Sequence, residues 1–223
     1  MIKPIETYYN GLRFRSRLEA RWAVFFDNAG IEYVYEPQGF ENKAGQKYLP
    51  DFYLPEKDWY VEIKPPRDGA EEEIEKACRF IGDKNKIRVL LILGDIPKFS
   101  KTDIWFYLAI FYHPVMEELS TRWVGIVPEW EFDECDNVHI QKAKFLSWIY
   151  NCGKKLPPAG GTIRVGKKGL TAQKESDLAD CEEYLYSDTF PDEAILFMHR
   201  LYDSARQARF EYGETPKIKE YSE

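Results

Sequence analysis

The sequence has no long hydrophobic run and few cysteines. No apolar stretch approaches the roughly 20 residues that a membrane-spanning helix needs. The start, Met1 to Pro4, has no apolar signal core. The 4 cysteines form no Cys-x-x-Cys pair and fit reduced thiols better than a disulfide framework. We therefore expect a cytoplasmic protein with no membrane partner.

Histidine is scarce as well, with 3 residues that belong to no recognisable pattern. Cys135, His139 and Cys152 could supply three zinc ligands, but their spacing is irregular. Buried thiols are the favoured interpretation of these cysteines.

Positive charge is not in excess either, and the formal net charge is −7. This balance is unfavourable for a nucleic-acid protein, because phosphate contacts call for Lys and Arg. Residues 170–223 carry 13 acidic and 6 basic residues and account for the whole excess. The charge is therefore weak grounds for excluding nucleic acid.

What is present predicts a folded α/β protein. At 223 residues, with 44% hydrophobic and 16% aromatic residues, the chain can bury a full core. Helical spacing and runs rich in β-branched and aromatic residues alternate in the order α-β-β-β-α-β. They cover residues 16–30 (helix), 31–37, 47–54 and 59–64 (strands), about 70–81 (helix) and 87–93 (strand).

Further elements are expected beyond Gly94. They are strands near 104–112 and 122–127, a helix over 140–151, a mobile basic Gly-rich loop over 153–169, and two final helices. The second of these helices should begin near Pro191 and stop at Gly213. We divide the chain into a core of residues 1–130 and a mostly helical accessory region of residues 131–223.

The residues that can carry chemistry lie in the first half. Glu62 and Lys64 are two apart on one strand and point to the same face. A hairpin between the second and third strands would bring Asp51 beside Glu62. Two carboxylates and an ammonium in one small volume suit Mg²⁺ or Mn²⁺. Glu19 lies at the border of the apolar stripe of the helix, so its carboxylate can point into the same site.

Three short motifs stand out in the first half of the chain: Arg17-Leu18-Glu19-Ala20-Arg21-Trp22, Pro50-Asp51 and Glu62-Ile63-Lys64. Through these motifs the chain resembles the PD-(D/E)XK nuclease superfamily, in particular its small phage and resolvase-like members. Each falls on the element that the family requires, and the similarity covers roughly residues 12 to 95. It implies a restriction-endonuclease-like core with a mixed central sheet flanked by helices.

The resemblance also implies an activity, that of a metal-dependent DNA endonuclease. Asp51, Glu62 and the main-chain carbonyl of Ile63 would bind Mg²⁺ or Mn²⁺, and Glu19 would bind it directly or through water. Lys64 would orient or activate the attacking water, and the products would carry 5′-phosphate and 3′-hydroxyl ends. A setting in phage DNA replication, recombination or packaging, in the host cytoplasm, follows by analogy alone.

Basic residues are candidate nucleic-acid contacts. They are Arg13, Arg15, Arg17 and Arg21 near the site, and Lys154, Lys155, Arg164, Lys167 and Lys168 in the basic loop. Solvated surface charge is the alternative for all of them. For Glu19 the alternative is a capping box with Ser16.

Two further alternatives concern the whole protein. The chain could be a nuclease-fold DNA-binding or protein-interaction module without turnover, or an acidic adaptor that acts through its C-terminal half. A homodimer would suit cleavage of two strands, although no residue pattern demonstrates one.

Overall fold

The computed structural model describes residues 4–42, 45–65, 70–81, 87–99, 103–113, 118–133, 138–149, 161–166, 169–170 and 191–211. This part of the chain contains both helices and strands, as expected of an α/β protein. The helices are α1 (Arg17–Ala29), α2 (Ala70–Ile81) and α3 (Asp192–Gln207). None of these described helices is both long enough and apolar enough to cross a membrane.

The strands form one large sheet and two small antiparallel pairs. The small pairs are β1 (Thr7–Tyr9) with β2 (Leu12–Phe14), and β4 (Phe40–Glu41) with β5 (Lys47–Tyr48). The first six strands of the large sheet are β3 (Val34–Tyr35), β6 (Phe52–Leu54), β7 (Trp59–Lys64), β8 (Arg88–Leu93), β9 (Asp103–His113) and β10 (Glu118–Phe132). The others are β11 (Val138–Ile149), β12 (Gly161–Gly166) and β13 (Gly169–Leu170).

The large sheet is mixed, with the order β11-β10-β9-β8-β7-β6-β3. β7 and β8 are parallel and are connected through α2, whereas the other neighbours along this order are antiparallel. When the small β4–β5 pair is set aside, the elements follow the order α1, β3, β6, β7, α2, β8, which matches the expected α-β-β-β-α-β order. The mixed α/β class is therefore confirmed, while the assignment to a nuclease family stays a prediction.

Helices cover both faces of the sheet, as the alternation along β8 demonstrates. Leu90 and Ile92 belong to the core that contains α1 and α3, and Val89 and Leu91 belong to the core that contains α2. The sheet also curls around α1, so that Lys142 on β11 contacts Glu56 in the β6–β7 turn, with 2.7 Å between Nζ and Oε2.

Helix α1 is the most buried helix, and its ends follow the sequence signals. Ser16 caps its start by accepting a hydrogen bond from the N–H of Glu19, 3.2 Å away. Gly30 ends it with a φ of +67°, and its N–H bonds to Asp27. The helix expected from residue 16 to 30 is thus confirmed.

The C-terminal half departs from the sequence predictions. The helix expected over residues 140–151 is wrong, because residues 138–149 form strand β11 and pair with β10. A register shift leaves Gln141 without a Cα partner and interrupts the two-residue alternation. This bulge hides the strand period, so the pattern imitates a helix.

The basic segment and the final helix also differ from expectation. Residues 161–166 are strand rather than loop, since β12 pairs with β9. Helix α3 begins at Asp192 as expected but ends at Gln207, short of Gly213. The remainder of the loop and the helix expected before α3 lie outside the described residues.

The division expected at residue 130 falls inside β10. Ala143 on β11 lies in the same core as α1, and so do Met198 and Tyr202 on α3. The described residues on both sides of position 130 therefore share one hydrophobic core.

Candidate active site

Three carboxylates predicted to carry chemistry are buried. Glu19 is 7% exposed, Asp51 2% and Glu62 4%, and no other acidic residue is buried among those whose side-chain exposure the structure describes. Buried carboxylates are rare unless they are paired or bind a cation. Burial therefore distinguishes these three from the many acidic residues of the surface.

Strand β7 presents one apolar and one charged face at its carboxyl end. Val61 and Ile63 lie in the core beside α1, whereas Glu62 and Lys64 form an ion pair on the opposite face. The adjacent parallel strand β8 ends at Leu93, and the N–H of the next residue, Gly94, donates to the Lys64 carbonyl at 2.8 Å. Gly94 has a φ of +103°, which favours glycine at this turn. Carboxyl ends of parallel strands are common ligand positions in α/β sheets.

Asp51 lies directly before β6 and completes its pairing with β7. Its N–H donates to the Val61 carbonyl at 3.0 Å, and its Oδ2 accepts from the Ile63 N–H at 2.7 Å. Its Oδ1 contacts the Arg15 guanidinium at 2.7 Å. One oxygen of Asp51 thus satisfies the Ile63 N–H, which lies outside the β6–β7 pairing, and the other binds the Arg15 guanidinium.

Burial and repulsion raise the pKa of Asp51 to about 7. Burial is the largest cause, followed by the Glu62 carboxylate, while Lys64 and the Ile63 N–H act in the opposite direction. Because this pKa is close to neutral, the carboxyl group is partly protonated in neutral solution, and a cation bound beside it favours the ionised form.

Glu62 has one oxygen satisfied and one unsatisfied. Its Oε1 pairs with the Lys64 ammonium, whose side chain is 24% exposed. Its Oε2 is buried and has no hydrogen-bond partner among the residues that the structure describes. A buried carboxylate oxygen without a partner is costly, and a bound cation or ordered water would remove the cost.

The carboxylate of Glu19 is fixed by hydrogen bonds from neighbouring residues. Ser16 Oγ donates to Oε1 at 2.7 Å, and the Tyr35 hydroxyl donates to Oε2 at 2.7 Å. The Arg15 N–H also approaches Oε2, at 3.3 Å. Burial raises the pKa of Tyr35, and the Glu19 contact raises it further, so the hydroxyl stays protonated and donates. The capping box expected from Ser16 and Glu19 is present.

The residues fit a hard divalent cation with few protein ligands. No group of three or more His, Cys, Asp or Glu side chains within the described ranges could hold an ion together. Asp51 and Glu62 remain as carboxylate donors, and Mg²⁺ often takes one or two of these plus water. Ile63 lies beyond the β6–β7 pairing. The N–H and the carbonyl of a strand residue point to the same side of the strand. Because the Ile63 N–H bonds to Asp51, the Ile63 carbonyl also lies on the side of β7 that faces Asp51.

The arginines expected to contact nucleic acid have mostly acidic partners within the protein. Arg13 pairs with Glu6, Arg15 with Asp51 and Glu36, and Arg17 with Glu211. Arg21 lies on α1, and its buried Nε has no hydrogen-bond partner among the described residues. Only Arg15 contacts a candidate metal ligand, so the four arginines are not equivalent.

The basic residues of the loop are not placed beside the site. Lys154, Lys155, Lys167 and Lys168 lie outside the described residues. Arg164 lies on β12, where its backbone pairs with Asp103.

Of the alternative zinc ligands, His139 pairs with Asp133, at 3.0 Å between Nε2 and Oδ2. Cys135 and Cys152 lie outside the described residues.

Sequence reasoning missed two residues of this cluster, Tyr35 and Glu36. Tyr35 donates to Glu19, and Glu36 Oε1 lies 2.7 Å from Arg15 Nε. Both lie within the strand predicted over residues 31–37, and nothing local distinguishes them from surface residues. Their role depends on contacts across 16 or more positions of the chain.

Comparison of the chain with protein-family models, curated proteins and solved structures gave no match. The function is therefore argued from the site itself.

Proposed function

We propose that this protein is a metal-dependent phosphodiesterase of the PD-(D/E)XK type that hydrolyses DNA as an endonuclease. One observation carries the proposal. The three buried carboxylates, Glu19, Asp51 and Glu62, are the acids that the family resemblance assigns to catalysis, and Lys64 pairs with one of them. A solvated strand face would leave Glu62 and Lys64 exposed instead.

In this proposal Asp51 and Glu62 hold a Mg²⁺ or Mn²⁺ ion, with the Ile63 carbonyl as a further ligand. The unsatisfied Oε2 of Glu62 supports this role, since a cation would supply its missing partner. A bound divalent ion neutralises the scissile phosphate and lowers the pKa of a water ligand.

The remaining residues position groups around that ion. The Lys64 ammonium, anchored on Glu62 Oε1, orients the attacking water and stabilises negative charge that develops on the phosphate. Glu19 reaches the ion through water, because its own oxygens accept from Ser16 and Tyr35. Its fixed carboxylate also holds the Arg15 backbone next to the site.

Cleavage of a labelled panel tests the proposal. Plasmid, linear duplex, single strand, four-way junction and RNA are incubated with Mg²⁺ or Mn²⁺ and the full chain. We expect metal-dependent cleavage of at least one DNA member, lost in Asp51→Asn and in Lys64→Ala. Ligation of the product ends checks for 5′-phosphate and 3′-hydroxyl groups.

Matched controls come from the β6–β7 turn. Asp58→Asn keeps a residue that tolerates the positive φ of 53° at this position, and Lys57→Ala removes a lysine paired with Glu56. Both should cleave like the wild type. No cleavage by the folded wild type with either metal would shift the interpretation to a binding module without turnover.

A further inference from the structure

The guanidinium of Arg15 bridges two acidic side chains at the candidate active site. Its Nη2 lies 2.7 Å from Asp51 Oδ1, and its Nε lies 2.7 Å from Glu36 Oε1. The Arg15 main chain is fixed as well, because its N–H donates to the Tyr35 hydroxyl at 2.9 Å. The side chain is nevertheless 52% exposed and faces solvent on its open side.

Glu36 holds Arg15 from a strained backbone. Its φ of +46° lies in the left-handed region, which is strained for a residue other than glycine. Its N–H donates to the main-chain carbonyl of Asp51 at 2.9 Å, so the strained residue is locked to the metal-ligand candidate. Strain retained beside a buried carboxylate indicates a positioning role.

Charge explains why Arg15 is needed there. Asp51 is buried among other carboxylates; the Lys64 ammonium forms an ion pair with Glu62, and its charge also lowers the pKa of Asp51. Arg15 therefore supplies the positive charge that contacts Asp51 Oδ1. A divalent ion on the same oxygen would repel the guanidinium, so the two cations compete for one atom.

We infer that Arg15 is the built-in counter-cation of Asp51, displaced from Oδ1 when a divalent ion binds, and that Glu36 retains the displaced guanidinium at the rim of the site. The inference rests on the proposed function for the identity of the metal ligands. Arg15 is then a positioning residue that weakens metal binding until the ion takes its place.

Titration of the metal-free full chain with Mn²⁺, without nucleic acid, measures this competition directly. The signal of free Mn²⁺ in electron paramagnetic resonance gives the affinity, and no cleavage is involved. We expect Arg15→Gln to bind Mn²⁺ about three- to tenfold more tightly than the wild type. Arg13→Gln, which removes an arginine paired with exposed Glu6, should leave the affinity unchanged.

A second variant and a second readout separate competition from general damage. Arg15→Lys keeps the charge without the planar donor pair and should give an intermediate affinity. Saturating Mn²⁺ should raise the melting temperature of Arg15→Gln by more than that of the wild type. If Arg15 made only a structural contact, Arg15→Gln would melt at a lower temperature both with and without Mn²⁺, and the rise caused by Mn²⁺ would be no larger than in the wild type.

Asp51→Asn distinguishes failure of this inference from failure of the proposed function. If Asp51→Asn loses Mn²⁺ binding while Arg15→Gln and Arg15→Lys bind it no more tightly than the wild type, the role of Arg15 is overturned and the metal site stands. If Mn²⁺ binds equally well to Asp51→Asn, both the metal site and the counter-cation fall.

Discussion

The stability of the metal-free protein should fall as the pH rises, because of Asp51. Its pKa is raised from 3.8 to about 7 in the folded state, mainly by burial. Between these two values the folded protein keeps a proton on Asp51 that the unfolded chain has released. The folded state therefore binds more protons, and the free energy of unfolding decreases with pH across this window.

The magnitude follows from the two pKa values of Asp51. Each unit of difference is worth roughly 1.4 kcal/mol, so the span from 3.8 to about 7 sets an upper limit of about 4 kcal/mol. For a chain of 223 residues this is a fall in melting temperature of roughly 10 °C. Above about pH 7 no further loss from this group is expected.

Thermal and urea unfolding in EDTA, followed by circular dichroism across this pH range, measures the effect. Asp51→Asn carries no titratable group at the position, so its stability should lack the decline that the wild type has. Excess Mg²⁺ should flatten the wild-type decline, because the ion favours the ionised carboxylate. Parallel pH profiles of the wild type and Asp51→Asn in EDTA would refute the argument from burial.

Three substitutions test the packing around the site by thermal unfolding. Trp22→Ala empties a fully buried site beside Phe25 and should cost about 3–5 kcal/mol; a loss below that of a surface substitution would contradict the described core. Gly30→Ala combines a φ of +67° with a Cβ 3.2 Å from Lys142 and should cost about 1–2 kcal/mol, whereas a neutral effect would exclude the αL cap. Tyr35→Phe removes the donor to Glu19 and should cost about 1–2 kcal/mol, so unchanged stability would argue against that hydrogen bond.

The first half of the fold could be predicted because its signals are local. Ser16 and Gly30 mark the ends of α1, and the pattern of residues 59–64 defines β7 to the residue. The same reasoning overextended the strand of residues 31–37, of which only Val34 and Tyr35 pair in the sheet. Ladder pairing depends on a partner strand, which no local pattern contains.

Two features of the second half and the N-terminal region were missed for different reasons. The β1–β2 hairpin was detectable, since Asn10-Gly11 is a strong turn signal and both residues have positive φ. The strand nature of residues 138–149 was not, because the bulge at Gln141 shifts the phase of its alternation.

The sequence by itself determined which side chains can carry chemistry. Glu62 and Lys64 are recognisable from their two-residue spacing on a strand, Asp51 from the Pro50-Asp51 pair, and Glu19 from its position at the border of the apolar stripe of a helix. These signals depend on residues that are close in sequence, because the regular geometry of a helix or strand places residues of the right spacing on the same face.

Only the tertiary structure decided how those side chains are satisfied. Arg15 contacts Asp51 across 36 positions, and Tyr35 contacts Glu19 across 16. The unsatisfied oxygen of Glu62 likewise depends on every element packed around it. Burial and ion pairing arise from contacts distant in sequence, and for that reason neither the raised pKa of Asp51 nor its arginine partner could be derived from the order of residues.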